Sequence, residues 1–336
     1  MRYLSGTEQE IAPLLEALSR QQVDMRFPAP SEWQPDKYET TLQSAFSLDG
    51  PGTYSKGRKT TLTFAPAENG CFFNRLDQCE QLPIRVCVNN VWTAQRSIVL
   101  RSGAPSNYMR MTEHIIANRL GLGLDNVMIG SHNGDPPLYD EGSMPILEAI
   151  QRAGITQNPQ RPLRYFTVKE DVILVGPHGS FLRFEPASNG SRLLSLDVAI
   201  DFPTAIGKQR IQFDLCPQSF THGAHARTNC SRREMFLART IGKLFADFRN
   251  LGYTDQNILI AGRSKYCNEP KMMHNGKSLE AVWHRACLDL VAALSLFDQG
   301  RLAGRITSYK AGHSLDCRFM TLLEIHSLWQ ELPSLS

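Results

Sequence analysis

Residues 111–126 read MTEHIIANRLGLGLDN, and residues 127–130 read VMIG. The spacing of the apolar residues in the first segment predicts a helix. Gly121 and Gly123 predict where that helix ends, because glycine readily adopts the backbone conformation found just beyond a helix. The segment NVMIG that follows predicts a buried strand. This stretch therefore predicts a helix that leads into a strand within one layered unit.

The segments on both sides of this stretch add strands and a second helix. Upstream, SAFSL and TTLTFAP enclose a turn-rich segment and predict a β-hairpin. Downstream, Ser143 as a cap, Pro145 in the first turn and Gly154 as a stop predict a helix. The proline-containing segment TQNPQRPLRY at 156–165 predicts a linker, and so the end of a first domain.

The second half of the chain repeats this order of strands followed by helices. TVKEDVILVGPHGSFLRFEP, LLSLDVAIDFP and IQFDL predict strands, whereas EMFLARTIGKLFADFRNLGY and SLEAVWHRACLDLVAALSLF predict helices. Strands followed by helices favour an α+β layered domain over a doubly wound parallel sheet. We therefore predict two α+β domains, at 39–157 and 158–336. The glycine-rich patterns of dinucleotide and ATP sites do not occur.

Residues 1–38 predict a helical extension. Thr7 and Glu10 form a capping box, and one apolar stripe follows, consisting of Ile11, Leu14, Leu15 and Leu18. The polar face of this helix is not basic, so the stripe is expected to dock on the body of the protein or to support self-association, and not to bind a membrane.

Composition narrows the classes of partner. The 36 basic and 33 acidic residues give a net charge of +3, too small for a broad basic field that would bind nucleic acid or an anionic membrane. The N-terminus lacks the pattern of a signal peptide and no apolar run is long enough to span a bilayer, so we predict a cytoplasmic protein without stable membrane insertion. The eight cysteines contain no CxxC pair and are predicted to be free thiols.

Several motifs occur in the order found in one enzyme family. GPGTYSKGRKTTLTFAPAENG is similar to GxGLHSGxxxxLxxxPA, with Thr53 and Tyr54 in place of leucine and histidine. MTEHIIANRLGLGLDN is similar to TVEHLxAAxxGxGIDN, and PPLYDEGSMPIL to IPIMDGSAxPF with Glu141 inserted. In the second half, ARTIGK at 238–243 is similar to ARTFGF, and SYKAGHSLDCRFMTLL to AxKSGHxLNxxLxxAL. Over about residues 40–325 the chain thus resembles the bacterial UDP-3-O-acyl-N-acetylglucosamine deacetylases, the zinc amidases of lipid A synthesis.

The resemblance implies a fold, an activity and a cofactor. The fold is a duplication of α+β sandwich domains like the second domain of ribosomal protein S5, with the active site between them. The activity is hydrolysis of the amide of an acylated UDP-amino sugar, and the cofactor is zinc.

The resemblance also implies roles for individual residues. Glu113 is expected to be the general base and His114 the first zinc ligand, while Thr240 supports the oxyanion. His313 is expected to protonate the leaving amine, and Lys310 to contact substrate. These are the groups that a zinc amidase needs beside its remaining ligands.

The remaining ligands are expected on the helix that contains WHRACLDL, where the family has HKxLDxxGDL. The family's histidine and aspartate are four residues apart, whereas His284 and Asp289 are five apart. Five residues on a regular α-helix correspond to about 140° of rotation, too wide an angle for two ligands of one ion.

Three arrangements follow from this spacing. A π-bulge near Ala286 or Cys287 would let His284 and Asp289 both bind zinc, with Arg285 replacing the family's lysine as a substrate contact. A regular helix would instead pair Arg285 with Asp289 and abolish the metal site. Alternatively, His284 and Cys287 would be ligands.

Further differences concern the acid and the substrate. The family's second aspartate, which orients the acid histidine, becomes Ala292 or Ala293, so His313 is expected to lack a carboxylate partner. A segment at 222–233 carries extra basic residues and predicts either a solvated loop or a diphosphate contact; the residues are His222, His225, Arg227, Arg232 and Arg233.

The hypotheses from sequence are therefore a divergent zinc-dependent deacetylase and a metal-free paralogue. The second would bind a nucleotide sugar, an acyl ligand or a protein of the same pathway without hydrolysis. A third hypothesis is that the scaffold modifies another acyl-carrying small molecule.

Overall fold

The computed structural model describes residues 1–54, 57–78, 82–240 and 252–335 of the chain. Its α-helices are α1 (Glu8–Arg20), α2 (Glu113–Gly121), α3 (Met144–Ala153), α4 (Pro217–Ala224), α5 (Arg232–Arg239), α6 (Glu280–Trp283), α7 (Val291–Leu294) and α8 (His313–Ile325). A π-helical segment, His284–Leu290, joins α6 to α7, and short 3-10 turns lie at Val88–Asn90 and Pro177–Gly179.

The strands in the first half of the chain are β1 (Arg2–Ser5), β2 (Met25–Phe27), β3 (Tyr38–Leu42), β4 (Phe46–Pro51), β5 (Lys59–Pro66), β6 (Cys71–Arg75), β7 (Ile84–Arg85), β8 (Val91–Thr93), β9 (Val99–Arg101), β10 (Tyr108–Met109), β11 (Val127–Ser131) and β12 (Ile155–Pro162). Those in the second half are β13 (Tyr165–Val168), β14 (Val172–Val175), β15 (Phe181–Glu185), β16 (Leu194–Phe202), β17 (Gly207–Asp214), β18 (Thr228–Ser231), β19 (Ile258–Ala261), β20 (Met273–His274), β21 (Lys277–Ser278), β22 (Arg301–Leu302), β23 (Gly304–Tyr309) and β24 (Trp329–Glu331).

A five-stranded sheet in the first half has the order β4-β5-β11-β6-β7. The predicted hairpin is confirmed, since β4 pairs antiparallel with β5 and the rings of Phe46 and Phe64 stack across the pair. The predicted helix-to-strand unit is also confirmed as α2 and β11. Beyond the end of α2, Gly123 has a φ of 65°, a conformation that glycine adopts without strain.

A seven-stranded sheet in the second half has the order β1-β14-β15-β23-β16-β17-β2. Its residues alternate between two cores: Val172 and Leu174 contribute to the main core, whereas Ile173 between them faces the cluster that contains α1. The main core also contains apolar residues of α6, the π-helical segment, α7 and α8. The sheet therefore lies between α1 on one face and the helices that carry the candidate site on the other. This mixed architecture confirms the α+β class.

The N-terminal extension belongs to this second sheet. The capping box of Thr7 and Glu10 is confirmed, and Ile11 and Leu18 are buried against the sheet. In addition, β1 pairs with β14 at one edge of the sheet and β2 with β17 at the other, so the extension covers both edges. Docking on the body is thus confirmed, while self-association stays a prediction.

One prediction along the chain is corrected, and another falls partly outside the described residues. The segment predicted as a linker forms β12, which pairs antiparallel with β3, so its backbone is part of a sheet and not an open connection. The helix predicted at 234–253 is described only as far as α5, because residues 241–251, including Ile241 and Lys243, lie outside the described residues. The division into two domains stays a prediction.

Two expectations from composition can be compared with the described residues. Within them, the seven cysteines are free thiols, and Cys79 lies outside. None of the helices described is long and apolar enough to cross a membrane.

A buried ion pair connects the two halves of the chain. The guanidinium of Arg301 donates two hydrogen bonds to Asp125, at 3.0 and 2.8 Å, and Asp125 also accepts from the backbone N–H of Thr40 at 2.9 Å. Although burial opposes ionisation, the charge of Arg301 lowers the pKa of Asp125. The carboxylate is therefore ionised, and its loss would leave the buried guanidinium of Arg301 with the more exposed Asp36 as its remaining carboxylate partner.

We predict that Asp125→Asn lowers the free energy of unfolding by about 3 kcal/mol, because removing the buried carboxylate leaves the charge of Arg301 compensated only by the more exposed Asp36. The matched control is Glu331→Gln, which removes the exposed partner of Arg164 and should cost less than about 1 kcal/mol. Urea unfolding followed by circular dichroism measures both. Equal effects of the two substitutions would contradict this account of Asp125.

Candidate metal and catalytic site

The π-helical segment brings His284 and Asp289 to one face of the helix. In a π-helix the hydrogen bonds run from residue i to residue i+5, so residues five apart stack along the axis. The two side chains accordingly meet, with His284 Nδ1 3.5 Å from Asp289 Oδ1. The predicted π-bulge is confirmed, and the alternative of a regular helix is wrong.

A second histidine faces the other side of the same ring. His114, on the first turn of α2, has its Nε2 atom 3.3 Å from Nε2 of His284. Burial, assisted by the neighbouring His284, lowers the pKa of His114 to about 3. The ring of His114 is therefore neutral at physiological pH, which is the protonation state that binds metal ions.

Asp289 supplies a negative charge beside the histidines. Burial opposes ionisation, but the charges of His313 and His284 lower the pKa of Asp289 below its ordinary value. Its Oδ1 atom is buried and accepts no hydrogen bond from the described residues. A buried, charged oxygen without a hydrogen-bond donor is suited to bind a cation.

Glu113 begins α2, directly before His114. One carboxylate oxygen accepts a hydrogen bond from the backbone N–H of Ile98, while Oε2 is buried without a partner among the described residues. Burial raises the pKa of Glu113 above its ordinary value. A carboxylate with raised proton affinity and one uncommitted oxygen is suited to accept a proton.

Thr228 is a site residue that the sequence interpretation missed. Its hydroxyl lies 2.8 Å from His284 Nε2 and 3.4 Å from His114 Nε2. The tripeptide ART occurs twice, at 226–228 and 238–240, and the family motif was matched to the second copy. Thr240 is exposed at the end of α5 and its hydroxyl donates to the Phe236 carbonyl, so its predicted role stays a prediction.

The neighbouring Arg227 fixes Thr228 in place. Its guanidinium is buried and donates to Glu280, with Nε 2.6 Å from Oε1. The predicted basic loop is therefore corrected: residues 217–224 form α4, Arg227 is paired in the interior, and the ring of His222 packs against Trp283. Arg232 and Arg233 are exposed.

His313, at the first position of α8, completes the cluster. Its Nε2 atom lies 3.5 Å from Asp289 Oδ1 and 3.9 Å from Glu113 Oε1. Burial opposes protonation, but these two carboxylates raise the pKa of His313 above its ordinary value. Lys310, with a φ of 52°, is exposed in the loop that precedes the helix.

Arg285 takes a different position from the predicted one. The side chain predicted to contact substrate is only 5% exposed, and its Nη2 atom donates to Asp316 Oδ1 at 2.6 Å. The predicted pairing with Asp289 is therefore wrong. Cys287, the third candidate ligand, is fully buried and packs against Gly223, where an added Cβ would lie 2.3 Å from the Cys287 sulfur.

A cavity of about 440 Å³ lies next to this cluster. It is lined by Ser97, which precedes the N–H donor to Glu113, and by Tyr54, Trp92, Tyr108 and Arg110 among others. The guanidinium of Arg110 lies over two of these rings. Its Cζ atom is 5.0 Å from the centre of the Tyr54 ring and 4.9 Å from the centre of the Tyr108 ring. The cavity therefore offers aromatic surfaces and a positive charge beside the candidate base.

Comparison with known proteins identifies the family. The sequence profile described as UDP-3-O-acyl N-acetylglycosamine deacetylase matches residues 39–324. The chain belongs to this family. It is 26% identical over 296 residues to the UDP-3-O-acyl-N-acetylglucosamine deacetylase of Syntrophus aciditrophicus, which covers 87% of this chain and 88% of that protein. It is 28% identical over 281 residues to the UDP-3-O-acyl-N-acetylglucosamine deacetylase of Bdellovibrio bacteriovorus. That match covers 82% of this chain and 86% of the relative. The resemblance found from the motifs is thus confirmed.

Two imidazole nitrogens of this chain lie at a spacing that suits zinc. Two imidazole nitrogens bound to one tetrahedral zinc ion at about 2.0–2.1 Å stand about 3.3 Å apart, and the two Nε2 atoms show this spacing. Among the described residues, no three histidine, cysteine or acidic side chains already have the arrangement of a metal site. The orientation of His284 accounts for this, because its Nε2 atom faces His114 while its Nδ1 atom faces Asp289.

The lowered pKa of His114 predicts a pH dependence. A histidine that is neutral in the folded state binds fewer protons than the unfolded chain. Its contribution to stability is therefore present above pH 6.5 and is lost as the pH falls from 6.5 towards 3. In the metal-free protein, NMR of the histidine rings should show His114 neutral at pH 5, whereas the same ring in urea is protonated. Titration of His114 near pH 6.5 in the folded protein would contradict its burial as a neutral ring.

Proposed function

We propose that this chain is a zinc-dependent deacetylase that hydrolyses the N-acetyl amide of an acylated UDP-amino sugar. The observation that carries the proposal is the pair of imidazoles, His114 and His284, with Nε2 atoms at the spacing of two zinc ligands. Family membership supports the reaction class. His114, His284 and Asp289 would hold the ion, which supplies Lewis-acid chemistry by polarising the amide carbonyl and acidifying water.

Glu113 accepts the proton of the attacking water. Its Oε2 atom is the uncommitted oxygen, while the N–H of Ile98 fixes the other. Burial raises the proton affinity of the carboxylate, so it takes the proton more readily than an exposed glutamate. The water oxygen forms the new bond to the carbonyl carbon.

Thr228 stabilises the negative charge that develops on the carbonyl oxygen. Its hydroxyl lies beside both histidines, where that oxygen would be held. Because the threonine is fixed through Arg227 and Glu280, the donor is in place before the reaction begins.

His313 delivers a proton to the leaving nitrogen. The adjacent carboxylates of Asp289 and Glu113 raise its pKa, which favours the imidazolium needed for this step. Protonation lets the carbon–nitrogen bond break with an amine as the leaving group, and the products are acetate and the amino sugar.

The cavity beside Glu113 and the exposed Lys310 provide contacts for the rest of the substrate. Aromatic rings and arginine suit a nucleotide sugar, since rings stack on planar or apolar groups and arginine pairs with phosphate. The metal-free alternative rested on a regular helix with Arg285 beside Asp289. Neither feature is present, so the structure offers no support for that alternative.

An assay of acetate release from UDP-3-O-acyl-N-acetylglucosamine tests the proposal. We expect activity that a chelator removes and zinc restores. Glu113→Gln should lower kcat about 10²–10⁴-fold by removing the base, and Thr228→Val about 10²–10³-fold by removing the oxyanion donor. Thr240→Val is the matched control and should have little effect on kcat, because the Thr240 hydroxyl is exposed and bonds to the Phe236 carbonyl. A fully active Glu113→Gln variant would contradict the proposal, and loss of activity only in Thr240→Val would return the oxyanion role to that residue.

A further inference from the structure

Two buried polar atoms on α8 lack a hydrogen-bond partner among the described residues. They are Nδ1 of His313 and Oδ2 of Asp316. The two residues are three apart at the start of the helix, a separation that places side chains on the same face. An imidazole nitrogen that can donate and a carboxylate oxygen that can accept therefore lie in the same helical turn. Leaving both atoms unpaired would cost the desolvation penalty of each group.

Asp316 is held by Arg285 through its other oxygen. Arg285 Nη2 donates to Asp316 Oδ1 at 2.6 Å and to the hydroxyl of Ser308 at 3.1 Å, and Nε donates to the Ala311 carbonyl at 2.9 Å. The carboxylate is 1% exposed, and burial raises its pKa above the ordinary value, although the charge of Arg285 acts in the opposite direction. Arg285 thus fixes the orientation of Asp316 and favours its ionised form.

The facing helix cannot supply this carboxylate. The aspartate that the family motif places after the ligand helix is replaced here by alanine, and Ala292 and Ala293 are both fully buried in the apolar core. At the position of Asp316 the family motif has asparagine instead. The carboxylate that the family motif has on the facing helix is thus absent here, and Asp316 on α8 provides one instead. Asp316 contacts Arg285, the residue that replaces the family's lysine.

We propose that Asp316 is a positioning residue for His313, accepting a hydrogen bond from Nδ1–H while Arg285 holds Asp316 in place. The proposal rests on the role of His313 in the proposed function. A proton fixed on Nδ1 leaves Nε2, which faces Asp289 and Glu113, to carry the proton that is transferred. The hydrogen bond is not closed in this structure. Such bonds in active sites commonly tighten when ligands bind.

NMR of the histidine rings tests the hydrogen bond independently of activity. The zinc-supplemented protein, labelled with ¹⁵N-histidine, should show a downfield proton on Nδ1 of His313, assigned by its loss in His313→Gln. Asp316→Asn should shift this signal and Asp316→Ala should abolish it. The control Asp171→Asn, which removes the partner of Arg183 in another ion pair, should leave it unchanged. An unshifted signal in both Asp316 variants would overturn the proposal.

Kinetics test whether the hydrogen bond matters for the reaction. Asp316→Asn should lower kcat about 10–100-fold with little change in KM, as for other residues that orient a catalytic group. In a His313→Gln background the same substitution should have almost no further effect, because it acts through His313. Ala293→Asp, which restores the family's aspartate, should recover part of the lost kcat. Additive effects of the two substitutions would contradict a positioning role.

The two sets of measurements separate failure of this proposal from failure of the proposed function. If the protein releases no acetate but the His313 signal depends on Asp316, the hydrogen bond stands and the deacetylase assignment fails. If acetate is released and neither the signal nor kcat responds to Asp316, the deacetylase assignment stands and the positioning role fails. Unfolding experiments on each variant confirm that the comparison is made between folded proteins.

Discussion

Between His284 and Leu290 the helix follows i to i+5 hydrogen bonds, and the arrangement of the site depends on this one irregular turn. With regular α-helical geometry, the five-residue spacing would place His284 and Asp289 about 140° apart. The π-turn instead stacks them, so Asp289 reaches both His284 and His313. The turn is surrounded by the main apolar core, which includes Ala286, Cys287 and Leu288. Packing of these neighbours stabilises a backbone conformation that is uncommon by itself.

The extra residue also changes which charges meet. Arg285 is directed away from Asp289 and pairs with Asp316 in α8. The site therefore has an ionised aspartate among three histidines on one side and a buried arginine–aspartate pair behind it. The helix that contains the extra residue thus forms an ion pair with α8. Asp316 compensates the buried charge of Arg285, so Asp289 remains available to bind a metal ion.

Local patterns in the sequence predicted most of the fold. The β4–β5 hairpin and helices α2 and α3 follow from turn residues, apolar spacing and caps, which are properties of neighbouring residues. The pairing of β12 with β3 was missed because it joins segments more than 100 residues apart and two prolines suggested an open linker. Thr228 was missed because the same tripeptide recurs twelve residues later. The Arg285–Asp316 pair, 31 residues apart, has no local signal at all.

X-ray absorption at the zinc edge, recorded on the zinc-loaded protein, tests the central claim that the π-turn preserves a zinc site made by His114, His284 and Asp289. The account predicts one bound zinc per chain with nitrogen and oxygen ligands only, two of them imidazoles, and loss of one imidazole in His284→Ala. A sulfur ligand, as the alternative with Cys287 predicts, or a protein that retains no zinc, would contradict the account.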